Sequence, residues 1–123
     1  MKNLAVFLVI IVLVIIVGLG YIGGARLAGT NTETVYVKYR GPVDLSPFGC
    51  EWITRSSFVQ RLCYDASEQY VIVNLRGTYY HYCEVPASVV AAWRNAESIG
   101  GFYNASVKGR FDCRVLRVPS YEH

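Results

Sequence analysis

Phe58-Val59-Gln60-Arg61-Leu62-Cys63-Tyr64-Asp65-Ala66-Ser67-Glu68-Gln69-Tyr70-Val71-Ile72-Val73-Asn74-Leu75-Arg76-Gly77-Thr78-Tyr79-Tyr80-His81-Tyr82-Cys83-Glu84 is the stretch on which the fold turns. It is rich in β-branched and aromatic residues and has two turn signals, Asp65–Glu68 and Arg76-Gly77. Phe58–Tyr64, Tyr70–Leu75 and Thr78–Glu84 therefore read as three antiparallel strands. With Arg76-Gly77 at a hairpin tip, Leu75 pairs with Thr78, Val73 with Tyr80 and Val71 with Tyr82. Cross-strand partners share a face. Val71, Val73, Leu75, Tyr80 and Tyr82, with Leu62 and Tyr64, then form one apolar side that must be covered. Arg61, Cys63, Ile72, Asn74, His81 and Cys83 fall on the other, outer side.

The cover follows in the chain. Pro86 suits a first helical turn, and Val89, Val90 and Trp93 make one stripe over Pro86–Ala96. Ser98–Gly101 breaks that helix. Phe102–Phe111 reads as a second short helix with Val107 and Phe111 inward, and Arg114–His123 as a tail. Ahead of the meander, Thr34–Tyr39 alternates as a short strand that Gly41-Pro42 stops. Val43–Trp52 reads as a loop with apolar pins at Val43, Leu45, Phe48 and Trp52. The expected fold is α+β. A three-stranded antiparallel meander, or a four-stranded one, carries two C-terminal helices on one face and follows an N-terminal transmembrane or signal helix.

That leader is Leu4–Val17, fourteen consecutive apolar residues behind Lys2. Leu4–Ile22 is long enough for a membrane anchor, and Gly23 and Ala25 supply the small residues of a cleavage site. Both readings place the body outside the cytoplasm, in the cell envelope or secreted after cleavage. Gly18-Leu19-Gly20-Tyr21-Ile22-Gly23 matches a dinucleotide-binding fingerprint, but no strand–helix setting surrounds it. The glycines read as the end of the apolar segment, and no cofactor is expected. The chain divides into residues 1–25 as leader, 26–54 as linker and added segment, 55–112 as the folded domain and 113–123 as tail.

Removing 25 of the 123 residues leaves 98, one small domain. Without Lys2, 11 Lys and Arg face 9 Asp and Glu, a net charge near +2 and far from the dense basic character of a dedicated nucleic-acid binder. An exported chain permits disulfides among Cys50, Cys63, Cys83 and Cys113. Cys63 and Cys83 share a face with the middle strand between them, so each is expected to pair with one of the outlying residues, Cys50 and Cys113. Which goes with which stays open. His81 and Cys83 could begin a metal site, but no second pair has ligand spacing, and no metal is expected.

No catalytic constellation is visible. Asp65, Glu68, Glu84 and Glu97 show no paired arrangement, and Ser56-Ser57 lacks a histidine partner. The chain is read as a non-enzyme, with a small enzyme lacking a recognisable active site as the third alternative. Lys108, Arg110, Arg114 and Arg117 bias the C-terminal end towards positive charge. They are the candidate ligand contacts, for phosphate on nucleic acid or on lipid head groups.

Ser56-Ser57, Val59, Leu62, Tyr64-Asp65, Val71-x-Val73-x-Leu75, Gly77, Tyr80-His81-Tyr82, Val85-Pro86, Ser98, Gly100, Phe102-Tyr103-Asn104 and Val107-Lys108 together resemble the KTSC domain. This small module occurs at the C-terminus of some lysyl-tRNA synthetases and as free-standing bacterial proteins. The resemblance covers roughly Arg55–Arg110. It marks Tyr80, Tyr82, Pro86, Asn104 and Lys108 as family positions. It implies no settled activity, and RNA binding has been suggested for its synthetase context. The leader, the Thr34–Trp52 segment and the four cysteines depart from the family pattern. They favour a non-catalytic interaction module of the cell envelope, with a protein or envelope component as partner and the membrane reached through residues 4–22 if the leader stays. Nucleic acid is the alternative partner, which the leader opposes.

Overall fold

A computed structural model describes residues 32–121. Its centre is the hairpin whose tip is Arg76-Gly77. Both tip residues are left-handed, with φ of 51° and 92°. That is the backbone a two-residue hairpin turn needs to match strand twist. The Asn74 side chain closes the turn by accepting the Gly77 N–H at 2.7 Å. Strands β4 (Val59–Asp65), β5 (Tyr70–Leu75) and β6 (Thr78–Tyr82) pair antiparallel through Val71↔Tyr82, Val73↔Tyr80 and Leu75↔Thr78. At the other turn the Asp65 carboxylate takes the Ser67 N–H and hydroxyl, at 3.1 and 2.7 Å.

The meander is only the middle of the sheet. β1 (Thr34–Val37), β2 (Gly41–Asp44) and β3 (Gly49–Trp52) extend it to six strands in the order β2-β1-β6-β5-β4-β3. β1 meets β6 in parallel through Val37↔Tyr79, and the Lys38 N–H donates to the Tyr79 carbonyl at 2.8 Å. β3 pairs antiparallel with β4, from Gly49↔Tyr64 to Trp52↔Arg61. The result is a mixed, curled sheet of half-barrel form, which overturns the three-stranded, purely antiparallel expectation.

Gly41-Pro42 does not stop the chain. Tyr39 (φ 70°) and Gly41 (φ 104°) turn it back into β2. Pro42 is tolerated there because β2 is an edge strand with no neighbour on one side. The expected loop Val43–Trp52 thus contains half of β2 and all of β3. Residues 34–52, expected as linker and added segment, are half the strands of one sheet. Among the described residues no helix is long and apolar enough to cross a membrane. The expected leader over residues 1–25, with Gly18–Gly23 inside it, lies outside the described residues.

The helices sit on the Val71/Val73 side. Helix α1 (Ala87–Arg94) buries Val90 and Trp93 against Leu62, Tyr64, Val71 and Val73. The Trp93 indole N–H donates to the Ile99 carbonyl at 3.1 Å, and the Tyr64 hydroxyl to the Val85 carbonyl at 2.7 Å. The second helix starts earlier than expected. The Ser98 hydroxyl caps it by accepting the Gly101 N–H at 2.9 Å. Helix α2 (Ile99–Phe102) runs into a π-helical turn, Tyr103–Val107, and Phe111 lies beyond it at φ 54°. Gly100 lies against the Phe58 ring, which fills the place a Cβ there would take.

The outer side of the meander is covered too. Val35, Val37, Val43 and Leu45 pack on Cys63, Tyr70, Ile72 and Cys83 in a second core. β5 is buried on both faces from Tyr70 to Asn74. Burial on both faces demands partners for the polar groups caught inside. Arg61, buried on this side, meets Glu33 in a two-pronged ion pair (2.6 and 2.9 Å), donates to the Tyr79 hydroxyl at 3.2 Å and lies 4.4 Å from the Trp52 ring centre.

Candidate functional site

Two disulfides shape the surface. Cys50–Cys63 joins directly paired residues of β3 and β4. Cys83–Cys113 fixes the segment after the π turn to the end of β6, where the Cys83 N–H also donates to the Phe111 carbonyl at 2.9 Å. No cysteine is free.

The second disulfide lies at one wall of a cleft of about 550 Å³. Tyr39, Tyr80, His81 and Tyr82 line one side. Arg110, Asp112, Cys113 and Arg114 line the other. Tyr39, in the turn between β1 and β2, is 84% exposed. The Lys38 ammonium sits 5.3 Å from its ring centre and 5.6 Å from that of Tyr80. Three phenol rings and two arginines therefore share one concave surface, with Lys38 beside two of the rings. Asp112 is its anion. Arg114 donates to both Asp112 oxygens, at 2.7–3.1 Å, and holds that carboxyl down to about pKa 2. Arg110 is exposed and makes no ion pair among the described residues.

Behind the cleft a polar chain runs through the second core. An arginine can only donate, so the Tyr70 hydroxyl, 3.2 Å from Arg40 Nη1, accepts there. The same hydroxyl meets His81 Nδ1 at 2.7 Å. Burial raises the Tyr70 hydroxyl to about pKa 12 against the opposing pull of Arg40. Burial, aided by Arg40 and opposed by Asp112, lowers His81. The other Arg40 nitrogen holds the Pro119 carbonyl at 2.7 Å, and the Tyr121 hydroxyl holds Asp65 at 2.8 Å. The tail is thereby tied across the outer face.

Tyr80 and Tyr82 are half-buried, and each has two roles. Their rings pack against the helix-side core, yet both also line the cleft. The Tyr82 hydroxyl meets that of Tyr103 at 2.6 Å, and burial raises its pKa strongly. Of the basic candidates, Arg110 and Arg114 reach the cleft. Lys108 and Asn104 are exposed at the π turn, and Arg117 pairs with Glu68 at 2.8 Å. Pro86 precedes α1 in extended backbone. Tyr39 and Lys38 escaped the sequence reading. Their signal is a lysine and a tyrosine at the close of a β-rich run beside Gly41-Pro42.

His81, Cys83 and Cys113 place three metal-ligating atoms within 4.8 Å of one another, with both sulfurs joined in the disulfide. Three of the candidate acid–base and nucleophilic residues have structural partners. Asp65 closes a turn and holds Tyr121, Glu68 pairs with Arg117, and the Ser56 hydroxyl accepts the Val59 N–H at 3.2 Å.

A sequence profile described as the KTSC domain matches residues 55–111. Among solved structures, a KTSC domain protein from Yersinia pestis is similar, with a TM-score of 0.50 and 24% sequence identity. The likeness covers 53% of this chain and 92% of that one, and it bears on the fold. No curated protein matches.

Proposed function

We propose, from the premise that residues 55–111 are a KTSC domain, that this chain is a non-catalytic binding module of the cell envelope whose ligand is an anionic envelope component. The cleft carries this reading: it is lined by the rings of Tyr39, Tyr80 and Tyr82 and by Arg110 and Arg114, and Lys38 adds positive charge beside Tyr39 and Tyr80. Flat aromatic walls suit sugar or base faces, and the cations suit carboxylate, sulfate or phosphate. The compartment is supported by the pairing of all four cysteines and by the apolar run Leu4–Val17.

The same pairing of rings and cations also suits single-stranded RNA, which is the second reading. The two are separated by titrating the full chain with an anionic oligosaccharide and with a single-stranded oligonucleotide at two salt concentrations. Tighter binding of the glycan, weakened at least tenfold in R110E/R114E, is the expected result. Tighter binding of the oligonucleotide, weakened by the same substitutions, favours the second reading. Binding of both that ignores R110E/R114E removes the cleft from either role.

A further inference from the structure

We propose that reduction of the Cys83–Cys113 disulfide turns the base of the cleft into a binding site for a borderline-soft divalent cation of the zinc class, held by His81, Cys83 and Cys113. The ligand atoms are already gathered, all within 4.8 Å of one another. Sulfur and nitrogen ligands placed tetrahedrally at about 2.3 and 2.0 Å from zinc stand roughly 3.5–3.8 Å apart. Opening the disulfide removes the bond that holds the two sulfurs closer together than that distance.

The surroundings suit the chemistry. Cys83 is fully buried at the end of β6, and the Tyr70 hydroxyl lies on His81 Nδ1, so with the ring hydrogen on Nδ1 and shared with Tyr70 the Nε2 lone pair is the one that binds the cation. Such an outer partner is the usual means of orienting a metal-ligating imidazole. Arg110 and Arg114 line the same cleft as Cys113 and favour thiolate over thiol there, while the Asp112 carboxylate and the thiolate pair offset their repulsion of a cation. His81 and Cys113 both line the cleft, so the fourth position opens to water.

The redox balance is simple. A thiol or phosphine reductant delivers two electrons to the disulfide and is itself oxidised. The two cysteines take up two protons, which are released again when the thiolates bind the cation. Cys50–Cys63 offers no such set, because no third ligand is grouped with it among the described residues. The inference concerns what these residues do when reduced, and it does not depend on the ligand of the cleft.

The test uses the full chain in mild detergent, with C50S/C63S to leave one cysteine pair. After reduction with a phosphine, one equivalent of Co²⁺ is expected to give thiolate-to-cobalt absorption, and Zn²⁺ to displace it. The oxidised protein should give neither signal. H81A should weaken binding at least tenfold. Emission from buried Trp93 reports whether the fold persists. Absence of the absorption with Trp93 emission unchanged would overturn the proposal. So would equal binding by H81A, or a reduced chain that unfolds and is not restored by Zn²⁺.

Discussion

His81 lies at the meeting point of two demands. It lines the cleft, yet its ring is tied to buried Tyr70 and faces Arg40. Burial, and secondarily Arg40, lowers its pKa below the ordinary value near 6.5. The unfolded chain therefore takes up a proton more readily than the folded one. The stability this contributes is whole above about pH 6.5 and is lost as pH falls through the lowered folded-state pKa. Thermal melts between pH 7 and pH 5 should show the wild type losing more midpoint temperature than His81→Gln, and identical slopes would contradict this account. The alternation of residues 79–82 was enough to place His81 opposite Tyr80 and Tyr82. Its lowered pKa was not legible, because burial sets it and Arg40 reaches it from the turn between β1 and β2.

At the scale of elements, the hairpin was readable from Arg76-Gly77 and the flanking apolar pattern, and its pairing follows from the turn. β2 and β3 were not readable. Each has four residues, and Gly41-Pro42 and Gly49 look like interruptions when the neighbouring strand is unknown. The start of α2 was hidden for a related reason. Gly100 and Gly101 read as breakers, but Gly100 is glycine because the Phe58 ring occupies the place of a side chain. Gly100→Ala should therefore destabilise the fold by about 1–3 kcal/mol, the usual cost of overpacking a filled core. In a domain of this size that is a fall on the order of 10 °C in Tm. A melt within a degree of wild type would show that α2 is free to shift away from Phe58.

At the scale of the whole molecule, the error in the expected fold was to leave one face of the meander bare. Cys63, Tyr70 and Ile72 lie on that face and are as buried as Val71 and Val73 on the other. The unbroken run Tyr70–Val73 was the available signal, since strands buried on both faces lose their alternation. The two disulfides act on this assembly over different loops, with sequence separations of 13 and 30. Loop-closure entropy assigns them about 3 and about 4 kcal/mol. Denaturant titration should thus find C83S/C113S less stable than C50S/C63S, and the reverse order would point to native-state contacts over chain entropy. Strand order carries one more consequence. The strands of the matched region, β4 to β6, would by themselves present two bare rims, and bare rims recruit other chains. Here β3 lies along one rim and the β1–β2 pair along the other. The outermost strands are only four residues long, and one carries Pro42. The segment ahead of the domain is in this sense a built-in neighbour on both sides, occupying the positions through which the sheet could otherwise grow into a fibre.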